Sequence, residues 1–482
     1  DDMRVWLHRV ADWVADYRET IEDRPIVPAV VPGEIAAQLP ARLPDAAAPL
    51  ETLFGELDRV LMPGIVHWGH PSFLGYFGST SNGPALLAAI VAAALNVSAM
   101  TWRTSPTATE LESVVLDWIR EMTGLPEEMF GVVYDTASVA VVHALAAARE
   151  RAVASAGGGS VRTHGVMPSG PAPLRVYASD QAHSSLDKAM IVLGLGEANV
   201  VRVASDAAFR LDVGALRAAI DADIADGHRP MAVVATVGTT STASVDPVAA
   251  IAAVCREHDV WLHVDAAYGG ALALLSEEHS VMDGVALADS VVINPHKWMF
   301  VPLDFSALYT PHRDALRRVF SLVPEYLRGD AAETTNATVD YMDYGVQLGR
   351  RFRALKAWMV FRAFGRAGVA ARIREHVRLA RTWATWVEHD DAFALAAPVR
   401  MAVVCFRCAP PGISNAGADR LNESIVEAVN ASGDGYLTHT RLRGRVVMRV
   451  GIGNVLTTER HLAHVWSRVR AEAAARMARA PG

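Results

Sequence analysis

Apolar residues open the chain at helical spacing: Val5, Trp6, Val10, Trp13, Val14 and Tyr17 fall on one face of a helix. The stretch from Pro25 to Pro44 is punctuated by prolines and reads as a connector. Neither segment could fold alone, so the apolar stripe must be covered by the main body or by a second subunit. From about Asn82 the pattern changes to strand, turn and helix in repetition. Arg175 to Ala178, Val200 to Val203, Ala232 to Thr236, Val260 to Val264 and Ser290 to Ile293 are short β-branched runs, with helical stretches such as Val245 to Glu257 between some of them. Runs without alternation, separated by helices, predict a largely parallel sheet buried on both faces. Ligands of such sheets bind beyond the carboxyl ends of the strands.

Ala154 to Pro173, rich in Gly, Ser and Pro, reads as a surface loop. After Arg353 a long helix leads to strand candidates Met401 to Arg407 and Val446 to Ile452, then to a helix over Thr458 to Met477, the pattern of a smaller α+β lobe. The expected organisation is an N-terminal helical segment over residues 1–82, a large α/β domain over 83–355 and a small C-terminal domain over 356–482.

Composition narrows the function. A chain of 482 residues with 51% hydrophobic and 20% charged residues has room for one large core and smaller lobes, as in a multi-lobed enzyme. The net charge of −8 offers no nucleic-acid surface. The longest apolar stretch, Pro84 to Leu95, is short of the roughly 20 residues that cross a bilayer, and no charged-then-apolar leader opens the chain, so a soluble cytoplasmic protein is expected. The first residues are Asp1 and Asp2, without an initiator Met. Cys255, Cys405 and Cys408 are too few for a disulfide framework, and Cys405-Phe406-Arg407-Cys408, though spaced like a redox motif, lies in a strand pattern and reads as core. No metal is expected.

Lys188, Lys297 and Lys356 are the only lysines, which shortens the search for an amine that could carry a carbonyl cofactor. Lys188 and Lys356 sit in helical patterns, whereas Lys297 follows the run Ser290 to Ile293 directly. Pyridoxal phosphate chemistry also needs an acid at the pyridine nitrogen, a flat partner for the ring and an anion cradle. Asp265, after Trp261 to Val264, could be that acid or a turn cap. His183, after another strand, could stack on the ring or be an ordinary satisfied histidine. Thr136-Ala137-Ser138 opens a helical run and could hold a phosphate or simply cap the helix.

Taken together, Asn294-Pro295-His296-Lys297-Trp298, His263-Val264-Asp265-Ala266-Ala267-Tyr268, Asp180-Gln181-Ala182-His183-Ser184-Ser185 and Leu348-Gly349-Arg350-Arg351-Phe352-Arg353 resemble the signature blocks of the group II pyridoxal-phosphate decarboxylases, and among them the aromatic-L-amino-acid decarboxylases. The similarity runs from Val27-Pro28 through His67-Trp68 and Tyr76-Phe77 to Met448-Arg449. It implies fold type I, as in aspartate aminotransferase, and a homodimer whose N-terminal segment packs over the partner. It implies Lys297 as the Schiff-base lysine, Asp265 as the pyridinium partner, His183 as the stacking base and Ala267 as the small residue beneath the ring. Thr136, Ala137, Ser138, Thr240, Asn294 and His296 would surround the phosphate. The chain departs from many relatives in placing Tyr134-Asp135, and no glycine, before Thr136.

Tyr326 matches the mobile-loop tyrosine that family members use to protonate Cα after decarboxylation, a position where phenylalanine marks relatives that make aldehydes. Trp68, Tyr76, Phe77, Gly78, Ser79, Ser98, Met100 and Gly349 fall on positions lining the side-chain site of relatives. Gly78 replaces a common proline, and Ser98 and Met100 replace larger apolar residues. Gly349 matches a position where plant relatives with Gly tend to accept indoles and those with Ser accept phenols. The implied reaction is decarboxylation of an L-amino acid, of tryptophan, DOPA, tyrosine or phenylalanine type, to an amine and CO2. Its alternatives are an aldehyde synthase, a decarboxylase of a non-aromatic amino acid such as glutamate, and a catalytically silent relative. No basic clamp for a side-chain carboxylate is visible, and the intact Lys, Asp, His and Tyr set argues against silence.

Overall fold

The computed structural model describes residues 2–78, 80–157, 159–165, 172–322 and 338–478. Seven strands form the larger sheet: β1 (Phe130–Tyr134), β2 (Leu174–Ser179), β3 (Val200–Val203), β4 (Arg229–Thr236), β5 (Trp261–Asp265), β6 (Ser290–Ile293) and β7 (Ser306–Thr310). Their order in space is β1-β7-β6-β5-β4-β2-β3. β6, β5, β4, β2 and β3 are parallel neighbours, and β7 runs antiparallel to both β6 and β1. Helices Ser185–Val192, Val213–Ala225 and Val248–Glu257 carry the chain back between successive parallel strands. Covering both faces is what makes these strands apolar throughout: every residue of β5 is buried except its last, Asp265. The α/β class with a mainly parallel sheet is the one the β-branched runs predict.

β1 and β7 were not legible in the sequence. β7 is Ser-Ala-Leu-Tyr-Thr, with only Thr310 β-branched, and it becomes a strand because it is hydrogen-bonded between β1 and β6. In β1, Gly131 weakens the strand signal, but a Cβ there would stand 2.8 Å from the Tyr309 ring and 3.0 Å from Leu116. The long helix expected after Arg353 spans Ala354–Glu388 and is broken at Gly365, whose φ of 63° leaves the helical region. The expected surface loop contains the short helix Val161–His164.

The chain divides into two compact units. One comprises Ser81–Arg381 with Ala397–Val404 and holds the seven-stranded sheet. The other comprises Asp1–Thr80, Thr382–Ala396 and Cys405–Gly482. A second sheet is built from β8 (Phe393–Leu395), β9 (Val403–Cys408), β10 (Thr438–Leu442) and β11 (Arg445–Gly451), in the order β10-β11-β9-β8. Its core gathers Trp383, Phe393, Phe406 and Trp466 at ring separations of 5.0–6.3 Å. The N-terminal stripe forms the helix Met3–Glu19, as its spacing predicts. All three cysteines are buried and none is in a disulfide, and burial pushes the Cys405 and Cys408 thiols up to about 11, which makes them packing groups. Among the described residues no helix is long and apolar enough to cross a membrane.

One buried ion pair holds the first edge of the large sheet. Arg350 donates to both carboxylate oxygens of Glu112, at 3.0 and 2.5 Å, and to the carbonyls of Ala99 (2.9 Å) and Val133 (2.8 Å). Glu112 also accepts the Val133 amide at 3.1 Å, and the guanidinium lies 4.8 Å from the Tyr341 ring centre. Burial alone would depress the Arg350 pKa; the facing carboxylate reverses that and raises it, so the guanidinium is held charged. Removing one member strands the other. Glu112→Leu or Arg350→Met should each cost about 3–5 kcal/mol in urea denaturation, and the double replacement should recover part of the loss. The half-exposed pair Arg374–Glu277 serves as control, since Glu277→Gln should leave the midpoint in place. Single variants as stable as wild type would show that the pair pins nothing.

Candidate active site

Polar side chains collect where the parallel strands end. Asp265 closes β5, in register with Thr236 of β4 and Val292 of β6. Its Oδ1 accepts the Ala267 amide at 3.0 Å, and Oδ2 has no hydrogen-bond partner among the described residues. β6 ends at Ile293, Asn294 caps the short helix Pro295–Trp298, and Lys297 rides on that turn. Pro295 at the first helical position makes the turn tight, since its missing N–H would be unsatisfied there anyway. The Asn294 amide donates to the Ala267 carbonyl at 3.1 Å, which ties the Lys297 turn to the Asp265 turn.

His183 follows β2 and is exposed, yet enough protein surrounds the ring that desolvation is the first cause of its lowered pKa. Asp265 opposes that shift and Lys297 adds to it, so both stand within electrostatic reach of His183. The Ser185 amide donates to Nδ1 at 3.1 Å, which puts the proton of the neutral ring on Nε2. The other two lysines are placed differently. Lys356 donates to the carbonyls of Pro302 and Leu303 at 3.1 and 2.9 Å, and Lys188 is exposed on the helix Ser185–Val192.

Thr136 is the N-cap of the helix Ala137–Ser155, but its side chain makes no capping bond. Among the described residues no side chain accepts from the amides of Ala137, Ser138 and Val139, so this helix end presents donors to an anion. Asp135 does not oppose that: it turns back, accepting the Thr136 amide at 2.7 Å and the Gln347 side chain at 3.4 Å. Thr240 is exposed at the tip of the loop after β4. That loop is braced beneath it by Thr239, Thr242 and Ser244, whose hydroxyls link at 3.0 and 2.6 Å. The Asn294 carboxamide bridges His296 Nε2, at 3.2 Å, and the Ser306 hydroxyl. His296 Nδ1 accepts the Phe305 amide at 3.1 Å, and burial lowers its pKa to about 3, so it is neutral. Ser306 in this network had no signal in the sequence.

The residues expected to line the side-chain site fall into two groups. Trp68 and Tyr76 stack with ring centres 5.3 Å apart and planes 9° from parallel, and both are more than two-fifths exposed (41% and 49%). Phe77 lies under Arg449, whose guanidinium is 4.7 Å from the ring. Tyr436 joins this cluster unannounced: its ring stacks on Phe73 at 4.7 Å, and its hydroxyl is 3.4 Å from that of Tyr76, 360 residues away in sequence. In the other unit, the Ser98 hydroxyl accepts the Arg350 amide at 3.2 Å, which sets it beside Gly349, while the Met100 carbonyl accepts the Met342 amide at 3.1 Å. A Cβ on Gly349 would meet nothing within 4 Å, so a serine would fit there. Ser79 and Tyr326 lie outside the described residues.

A lysine at a strand end, a carboxylate with a spare oxygen, a neutral imidazole and an open helix N-terminus form the donor set that pyridoxal phosphate requires. Comparison with known proteins agrees. The family model of the pyridoxal-dependent decarboxylase conserved domain matches residues 32–409. An aromatic-L-amino-acid decarboxylase of Sus scrofa is 37% identical, over 100% of this chain and 98% of its own. A phenylacetaldehyde synthase of Arabidopsis thaliana is 36% identical, over 98% and 96%. The crystal structure of Oryza sativa TDC with PLP and tryptamine superposes with a TM-score of 0.94 at 36% identity, covering 99% of this chain and 98% of that one. With fold, cofactor donors and sequence in agreement over almost its full length, the chain belongs to the pyridoxal-dependent decarboxylase family and is a pyridoxal-phosphate-dependent carboxy-lyase of amino acids.

Proposed function

We propose that this enzyme converts an L-amino acid with an aromatic side chain to its amine and CO2, with Lys297 as the cofactor's anchor. The observation that carries the site is the placement of Lys297, Asp265 and His183 after the ends of parallel strands, with both Asp265 and Lys297 within electrostatic reach of His183. Bound pyridoxal phosphate supplies a carbonyl that condenses with an amine and a protonated ring that accepts the electron pair left at Cα. Asp265 holds the proton on the ring nitrogen with the oxygen that the Ala267 amide leaves open. His183 offers a neutral face and an Nε2–H, because its Nδ1 is already satisfied. Thr136, Ala137, Ser138, Thr240, Asn294 and His296 hold the phosphate with neutral donors. Tyr326 gives the proton to Cα once CO2 has left.

The aromatic preference is supported by the activities named for the relatives. A homodimer is supported by apolar side chains left exposed on the helix Met3–Glu19 (Met3, Val5, Leu7) and on the helix Gly83–Leu95 (Leu87, Ile90, Val91, Leu95), which a second copy would cover. Cysteines outside any disulfide suit a reducing, cytoplasmic setting.

Asp265→Ala should keep some cofactor while turnover falls on the order of 10²–10³-fold, because the carboxylate stabilises charge that develops in the reaction more than it stabilises the resting state. Absorbance of bound cofactor beside steady-state rates measures both; near-normal turnover would make Asp265 a mere turn cap.

A second reading, aldehyde synthesis, is favoured by the Arabidopsis relative and is separated from the first by products. A panel of aromatic and acidic L-amino acids should be assayed for CO2, amine, aldehyde and peroxide, under air and under argon. Wild type should give amine and CO2 alone. Tyr326→Phe should give less amine and, in air, one aldehyde, one ammonia and one peroxide for each CO2, with O2 as oxidant and water supplying the aldehyde oxygen. Aldehyde as the main wild-type product would overturn the decarboxylase reading, and an unchanged amine yield in the variant would remove Tyr326 as the acid.

A further inference from the structure

Trp298, the residue after Lys297, is wholly buried. Its indole stacks on Tyr268, with centres 4.8 Å apart and planes 14° from parallel. Tyr268 stands one residue beyond Ala267, on the turn that begins with Asp265. The stack therefore joins the turn carrying the acid to the turn carrying the amine. The indole Nε1–H donates to His376 Nδ1 at 3.1 Å, and His376 lies 78 residues further on, inside the helix Ala354–Glu388. His376 is 3% exposed, and Phe300 meets its ring edge-on at 5.6 Å and 75°.

We infer that His376 is a positioning residue for the cofactor anchor, acting through Trp298. A flat indole between a ring and a helix can slide in its own plane, because stacking constrains separation far more than rotation. The hydrogen bond to Nδ1 removes that freedom. It fixes the orientation of Trp298 and so the placement of the Lys297 turn against the Asp265 turn. An accepting Nδ1 sets the neutral tautomer of His376, with its proton on Nε2. Packing alone would tolerate any apolar side chain of similar size, whereas this role needs an acceptor at one point.

The inference rests on Lys297 as the anchor, and the test separates the two. Wild type, His376→Asn, His376→Leu and Trp298→Phe are compared as holoenzymes for kcat, KM and the rate of cofactor release into an apoenzyme trap, and as cofactor-free proteins for thermal midpoint. Asparagine keeps an acceptor near the Nδ1 position; leucine keeps bulk without one. His376→Leu should lower kcat and speed cofactor release on the order of 10- to 100-fold with KM little changed, as expected for a misplaced reacting group. His376→Asn should restore most of both, even if its thermal midpoint is as low as that of the leucine variant. Should His376→Leu fail to fold, Trp298→Phe keeps the stack and deletes the donor, and should show the same two losses. Normal kcat and release in His376→Leu or Trp298→Phe overturns the inference. So does a loss that follows the thermal midpoint across all variants without regard to the acceptor. A wild-type cofactor adduct on Lys188 or Lys356 overturns the anchor reading instead, before any variant is compared.

Discussion

A guanidinium buried against a carboxylate fixes one edge of the large sheet, the edge from which the chain runs into the open N-terminus of the helix Ala137–Ser155. Arg350 and Glu112 bring together the helix Pro106–Met122, strand β1, the segment around Ala99 and the Leu348–Arg353 block. Neither charge could be buried alone, so each of these pieces is fixed by the need to satisfy the other. From this edge the chain enters the open N-terminus of the helix Ala137–Ser155 directly, since β1 ends at Tyr134 and Thr136 caps that helix. A separate bond, from the Arg350 backbone amide to the Ser98 hydroxyl, sets Ser98 beside Gly349.

Beyond that edge the chemistry is a matter of which groups are kept neutral. Burial lowers His143 and His263 to about 4 and His296 to about 3, so none of them carries a proton charge at neutral pH. His143 instead pins the chain before Gly349: its Nδ1 donates to the Val139 carbonyl at 2.7 Å and its Nε2 accepts the Val346 amide at 3.0 Å. Asp265 and Lys297 stand at the strand ends, on the turns after β5 and β6.

Much of this was legible in the sequence because parallel strands buried on both faces write themselves as apolar runs, and the residue after each run stands at the ligand-binding end. Asp265, His183 and Lys297 were found that way. The antiparallel β7 was not, since its strand state comes from its neighbours rather than from its own residues. Asp135 could be read either as hostile to a phosphate or as harmless; only its bonds to the Thr136 amide and Gln347 decide for the second. Tyr436 and His376 act across 360 and 78 residues of chain, through contacts that no local pattern encodes. Tyr326 was reached through resemblance alone.

The central claim is that Lys297, and neither other lysine, carries the cofactor. Borohydride reduction of the holoenzyme followed by proteolysis and peptide mapping tests it directly, because the chain has only Lys188, Lys297 and Lys356 to choose from. A pyridoxyl group on the Lys297 peptide alone, absent from Lys297→Ala, is the predicted result. A pyridoxyl group on Lys188 or Lys356 in the wild type would contradict it.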